Sequence, residues 1–364
     1  MFILEACSHL NHFTLPTTQH FLPMFFDNLL TTTAKTITNP DTLIEFMSQS
    51  FDVKNMYTEL PHASIITAIE WLLRESQLTR FGRHKRVHLA LSGRRNVAFQ
   101  RNGGFVHITY AQLITFVLFD LANVYFTLGT TILRQHNGIP MGSPISPALA
   151  IIVCAHAEHL FKQTISDFPN FFAARYMDDL HATCTFTATD ISGRRRAEEI
   201  FEKLRTIYPA ALTLELTATG STDFLETSIS YPSLPCSLSS LSNPSSDSLS
   251  TRQLNKNKNC LSKPHLNFTR LQHSLSYRRP SQTAGALMGS FLRLPRHSSS
   301  TNTAFLSAIE LLLELHHLQY SPHTLQKTIK KLSHNHPNPL WPHLLTLLSM
   351  PSYSTFISNL KALL

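Results

Sequence analysis

Paired cysteines, uninterrupted apolar runs and acidic charge are all scarce in this chain. Its five cysteines, at 7, 154, 184, 236 and 260, are odd in number and form no Cys-x-x-Cys pair. That argues against a disulfide framework or a zinc ribbon and fits a reducing compartment. The twenty histidines are scattered, without the paired spacing of a zinc site. Met1 to Leu15 has polar interruptions and no basic start, so no secretory signal is readable. The most apolar stretch, Leu113 to Leu133, carries Asp120 and Asn123 near its middle and reads as a buried helix rather than a membrane span. The expected setting is intracellular, nuclear or cytoplasmic, with neither secretion nor membrane. No internal repeat is visible.

A content of 43% hydrophobic and 15% charged residues suits a folded protein, and 364 residues suffice for one large or two modest domains. Lysine and arginine total 31 against 23 acids, a net +8 that suggests a polyanionic partner.

Against this background Arg175-Tyr176-Met177-Asp178-Asp179-Leu180 stands out, because two like charges close an apolar, aromatic segment. Adjacent carboxylates repel unless a cation neutralises them, and oxygen-only clusters suit Mg²⁺ or Mn²⁺. An Asp-Asp turn between two strands is the structural alternative. Upstream, Phe51-Asp52-Val53-Lys54-Asn55-Met56-Tyr57 ends an apolar run on an acid, with an aromatic five residues later. Between these segments, Gly138-Ile139-Pro140-Met141-Gly142-Ser143-Pro144-Ile145-Ser146-Pro147 packs two glycines and three prolines into ten residues, a rigid loop that a ligand can approach closely.

Residues 1–50 read as helical and mixed, with Asn39 to Thr42 resembling a helix cap ahead of Leu43 to Phe46. Phe51 to Met56 reads as a short strand and Ala63 to Glu75 as a helix. The basic stretch 80–104 alternates like a hairpin, Tyr110 to Thr127 reads as a long apolar helix, and Phe172 to Phe186 as a hairpin turning at Asp178-Asp179. A helix over Ala197 to Tyr208 and strands at Leu212 to Leu216 and Phe224 to Tyr231 follow. Helices are expected at Thr303 to Leu318 and Ser321 to Leu332.

The three segments, in this order, resemble motifs A, B and C of reverse transcriptases, most closely those of Penelope-like retroelements. The resemblance covers residues 50–230, and more loosely 263–335. It implies an α+β fold: a polymerase palm, an antiparallel sheet with helices on one face, plus a helical thumb-like C-terminal region. The implied division is a palm with a remnant of fingers over 1–231, a Ser/Pro-rich linker or insert over 232–262, and a basic helical region over 263–364.

The implied activity is RNA-directed DNA polymerisation with two Mg²⁺ or Mn²⁺ ions held by Asp52, Asp178, Asp179 and the Val53 backbone. Tyr57 would exclude a 2′-hydroxyl, and Pro140, Met141, Gly142 and Ser143 would line the dNTP pocket. Met141 departs from the glutamine common in the wider group. Arg94, Arg95, Arg101, Arg278, Arg279 and Arg293 would contact an RNA template and DNA primer as a hybrid. Tyr176, Met177, Phe224 and Leu225 would lie near the primer end.

Only 51 residues precede Asp52, Lys35 is the sole lysine or arginine before Lys54, and no Gly-Ile-Tyr…Tyr-Ile-Gly endonuclease signature is present. Three alternatives follow: a piece of a longer reading frame, fingers or endonuclease supplied by a separate subunit, or decayed catalysis. A non-catalytic nucleic-acid-binding derivative and an RNA-dependent RNA polymerase are the competing functions.

Overall fold

A computed structural model of the chain describes residues 2–36, 42–79, 82–90, 97–98, 105–232, 234–237, 249–253, 258–259, 267–268, 271–277 and 279–353. The helices are α1 (Phe2–Ala6), α2 (Phe21–Thr36), α3 (His62–Leu78), α4 (Tyr110–Ala122), α5 (Ser146–Thr164), α6 (Ile191–Leu204), α7 (Pro280–Arg296), α8 (Thr301–His317), α9 (Pro322–Asn335) and α10 (Leu340–Leu348). The strands begin with β1 (Leu43–Lys54), β2 (Arg86–Ala90), β3 (Val97–Ala98), β4 (Phe105–Thr109), β5 (Tyr125–Leu128), β6 (Thr131–Arg134), β7 (Phe171–Tyr176) and β8 (Asp179–Thr187). They continue with β9 (Thr213–Thr219), β10 (Thr222–Phe224), β11 (Thr227–Ser230), β12 (Cys236–Ser237), β13 (Ser250–Gln253), β14 (Lys258–Asn259) and β15 (Asn267–Phe268). The architecture is α+β, with antiparallel strand pairs and a helical C-terminal region.

Two compact units divide the chain. The first takes Met1–Pro16, Gln49–Phe186 and Asp190–Thr217; the second takes Thr17–Ser48, Thr187–Thr189 and Ala218–Leu364.

In the first unit, β7 and β8 pair antiparallel from Phe171↔Cys184 to Tyr176↔Asp179, and β8 lies beside β1. Both faces of β7 and β8 are covered: β7 is apolar from Phe171 to Ala174, and β8 buries His181, Thr183 and Thr185 between its apolar residues. Along α3 the buried residues Ile65, Ala68, Ile69, Leu72 and Leu73 recur at helical spacing and pack against α5. Four cysteines, Cys7, Cys154, Cys184 and Cys236, are buried free thiols, and burial raises the pKa of Cys154 to about 11.

In the second unit, α7 to α10 surround a core that includes Phe291, Leu312, Leu325, Ile329 and Trp341. A β10–β11–β13 sheet belongs to the same unit, as does the β1–β12 pairing of Leu43↔Ser237 and Ile44↔Cys236.

Several expectations are corrected. Leu43 to Phe46 begins the long strand β1 rather than a helix. Ile44, Phe46, Ser48 and Ser50 turn inward at alternate positions, and that two-residue period overrides the cap-like sequence before them. The apolar helix α4 stops at Ala122, and Tyr125 to Leu128 forms a hairpin strand with Thr131 to Arg134. Neither stretch is a buried helix: Phe116, Leu118 and Phe119 are exposed on α4, as are Tyr125 and Leu128 on β5. Phe224 to Tyr231 is not one strand but the β10–β11 pair, turning at Leu225 with its φ of 56°. Among the described residues no helix is long and apolar enough to cross a membrane.

Candidate active site

Backbone hydrogen bonds tie the three motif-like segments together inside the first unit. The Val53 N–H donates to the Asp178 carbonyl at 2.8 Å, joining the end of β1 to the β7–β8 turn. The Ile139 N–H donates to the Tyr57 carbonyl at 2.7 Å, and the Gly138 N–H to the Leu60 carbonyl at 3.2 Å, joining the Gly-Pro loop to the segment after β1. Gly138 has a φ of +71°, and a Cβ there would stand 2.3 Å from the Thr58 carbonyl oxygen and 2.4 Å from that of Tyr57. Only glycine lets the two loops approach this closely.

Asp178 and Asp179 are exposed at the turn, and Asp52 is partly covered. The Lys54 ammonium is paired with the Asp52 carboxylate and, at 3.2 Å, with that of Glu215 on β9. Tyr57 is half-buried, and burial together with the nearby Asp178 charge pushes its phenol pKa upward. Asp52, Tyr57, Asp178 and the loop at 138 are therefore neighbours. Among the described residues, no three His, Cys, Asp or Glu side chains are gathered closely enough to hold a metal ion.

Met141 is 76% exposed and Gly142 has open space where a Cβ would stand, so the loop's far side faces solvent. Pro140 accepts from the Ser143 N–H at 3.2 Å, and the Ser143 hydroxyl reaches the Asp120 carboxylate at 3.5 Å. Tyr176 ends β7 paired with Asp179, so Met177 and Asp178 form the turn, with Met177 left-handed at a φ of 56°. Phe224 and Leu225 belong to the second unit, where Phe224 is buried with its ring centroid 4.7 Å from that of Phe21. Arg279 is exposed, whereas Arg293 donates to both Glu226 carboxylate oxygens at 3.0 and 3.1 Å. Arg94, Arg95, Arg101 and Arg278 lie outside the described residues.

Behind the turn sits a buried polar cluster that the motif pattern does not reveal. Arg175 on β7 and Glu158 on α5 form an ion pair with both side chains fully buried. The available signal was one lone charge in each of two apolar runs, which folding must pair. On β8, His181 is fully buried with its Nδ1 3.0 Å from the Ser50 hydroxyl. Elsewhere in the unit a cavity of about 620 Å³ between α3, α5 and the segment after α6 is lined by His156, Phe161 and Tyr208, away from the acids.

With this geometry in place, comparison with known proteins separates fold from family. No protein-family model and no curated protein matches the sequence. Among solved structures, the chain is similar to telomerase from Candida albicans in complex with a TWJ fragment of telomeric RNA. That alignment has a TM-score of 0.53 at 12% identity, over 98% of this chain and 56% of that one. The fold is telomerase-like. Apo telomerase from Candida tropicalis aligns with a TM-score of 0.49 at 12% identity, over 94% of this chain and 51% of that one. The chain thus spans about half the length of these telomerase-fold proteins.

Proposed function

We propose that this chain is an RNA-directed DNA polymerase of Penelope-like retroelement type, extending a primer 3′-hydroxyl with dNTPs on an RNA template. The supporting observation is the convergence of Asp52, Tyr57, Gly138 and Asp178 through the Val53–Asp178 and Ile139–Tyr57 backbone bonds. A fold shared with telomerase, a reverse-transcriptase relative, agrees with it.

Asp52, Asp178 and Asp179 are the groups to hold two Mg²⁺ or Mn²⁺ ions, with the Val53 carbonyl alongside. The donor set fits: all donors are hard oxygens, and two of the acids are exposed. Such ions, when bound, lower the pKa of the attacking hydroxyl and neutralise charge on the leaving group. In the reaction the primer hydroxyl gives up its proton to solvent and its oxygen bonds to the α-phosphorus, while the bond from that phosphorus to the oxygen bridging the β-phosphate breaks and pyrophosphate departs. Tyr57 occupies the space a ribose 2′-hydroxyl would need, and Met141, Gly142 and Ser143 border the new base pair.

One observation favours a second reading, a nucleic-acid-binding derivative without catalysis: Lys54 engages Asp52 and the acids are not gathered into a ready ion cage. Extension of a DNA primer on an RNA template in Mg²⁺, supplied with dNTPs or NTPs, decides between them. Incorporation of dNTPs that Asp178→Asn abolishes supports the polymerase. Template binding without incorporation supports the derivative, and a preference for NTPs supports an RNA polymerase.

A further inference from the structure

The acids of the proposed site are carried by a turn whose backbone is gripped from behind. Arg175 is fully buried, and each part of its guanidinium has a separate partner. Nε bonds the Glu158 carboxylate, Nη2 donates to the Thr14 hydroxyl at 2.8 Å, and Nη1 donates to the Met177 carbonyl at 2.8 Å. Glu158 in turn accepts from the Phe13 N–H at 2.8 Å and the Tyr208 hydroxyl at 2.9 Å. The Arg175 backbone is held as well, donating to the Phe13 carbonyl at 2.6 Å and accepting from the Leu15 N–H at 2.8 Å.

Met177 is the informative member. Its φ of 56° places a non-glycine residue in left-handed space, which disfavours an L-residue. Its carbonyl is held by Arg175, and the next carbonyl, that of Asp178, is held by the Val53 N–H. The conformation that presents Asp178 is thus fixed at two successive peptide units, one by the buried guanidinium and one by β1. Stability alone is a poor reason for such a pair, since a buried ion pair can often be replaced by apolar residues of similar volume without loss. The fork geometry also requires arginine, because a lysine ammonium cannot serve three fixed directions from one planar group.

We propose that Arg175, braced by Glu158, is a positioning residue that sets the Asp178-Asp179 turn for divalent-cation binding. The inference rests on the proposed reading of those aspartates. Groups that orient ligands from behind change metal affinity by about 10–100-fold when removed.

The full chain carrying Arg175→Met with Glu158→Gln tests this. Glutamine at 158 keeps an acceptor for the Phe13 amide and a donor for the Tyr208 hydroxyl, and methionine fills the arginine's space without reaching the Met177 carbonyl. Two readouts are compared with wild type: the thermal unfolding midpoint, and Mn²⁺ affinity from the EPR signal of free ion. The expected result is a similar midpoint with Mn²⁺ affinity reduced about tenfold or more. In primer extension the half-saturating Mg²⁺ concentration should rise more than the maximal rate falls. A folded variant with unchanged Mn²⁺ affinity would overturn the proposal and leave the pair a packing element. If the double variant unfolds, Arg175→Lys, which keeps the charge but not the fork, is judged by the same two readouts. Wild-type protein that binds no Mn²⁺ would remove the reading of the aspartates as ligands, and this inference with it.

Discussion

Gly138→Ala is the sharpest perturbation of the proposed site, because it attacks the junction of two motif-like loops without touching a charged group. Two effects add. A left-handed φ of +71° penalises an L-residue by roughly 1–2 kcal/mol. The new Cβ would also meet backbone at 2.3 and 2.4 Å, where no flexible side chain can yield, so the loops must separate. Separation stretches the Ile139–Tyr57 and Gly138–Leu60 hydrogen bonds and the 2.8 Å contact of the His62 ring with the Gly138 carbonyl. At roughly 0.5–1.5 kcal/mol for each of the three bonds, added to the backbone penalty, the total is about 2.5–6.5 kcal/mol. Gly142→Ala, four residues along, is the control: nothing lies within 4 Å of its Cβ position, and a shift within about 0.5 kcal/mol is expected. Urea denaturation measures the stability difference, and primer extension reports whether loop separation disturbs the site. A Gly138→Ala protein as stable and active as wild type, or a Gly142→Ala protein equally damaged, would refute the reasoning.

Three further outcomes are expected. Burial lowers the His181 pKa to about 3, against about 6.5 when unfolded, so below pH 6.5 the unfolded chain takes up a proton that the folded chain refuses. Its contribution to stability is complete above pH 6.5 and is lost toward pH 3 at up to about 1.4 kcal/mol per pH unit; urea titrations at pH 7.5 and 5 should show a smaller loss in His181→Gln, and equal losses would contradict this. Trp341, fully buried and donating its indole N–H to the His336 carbonyl at 2.7 Å, should cost about 3–5 kcal/mol on replacement by alanine, with a loss below 1 kcal/mol counting against its core role. Tyr57→Ala should admit ribonucleotides in primer extension, and unchanged sugar discrimination would reject the steric gate.

Much of the fold is legible locally. The β7–β8 hairpin, the helix after the Gly-Pro loop and the amphipathic α3 each follow from short-range pattern, although the hairpin turns one residue earlier than expected, at Met177-Asp178, with Asp179 already paired to Tyr176. The start of β1 is harder to read because two of its inward positions are Ser48 and Ser50, which hide the alternation. Arg293 shows a different difficulty. From its place in a basic patch it looks available for phosphate, whereas Glu226, distant in sequence, takes its guanidinium.

By itself, the sequence determined which segments are stiff, which are apolar, and that an acid follows one apolar run while a second acid pair ends another. Those are properties of residues near one another along the chain. Only tertiary structure decided that Val53 meets Asp178, that the loop at 138 closes on Tyr57, and that Arg175 finds Glu158 beneath the turn. Such meetings are made by closing long loops against chain entropy, and apolar burial distributed over the whole unit supplies the driving force. No single motif encodes them.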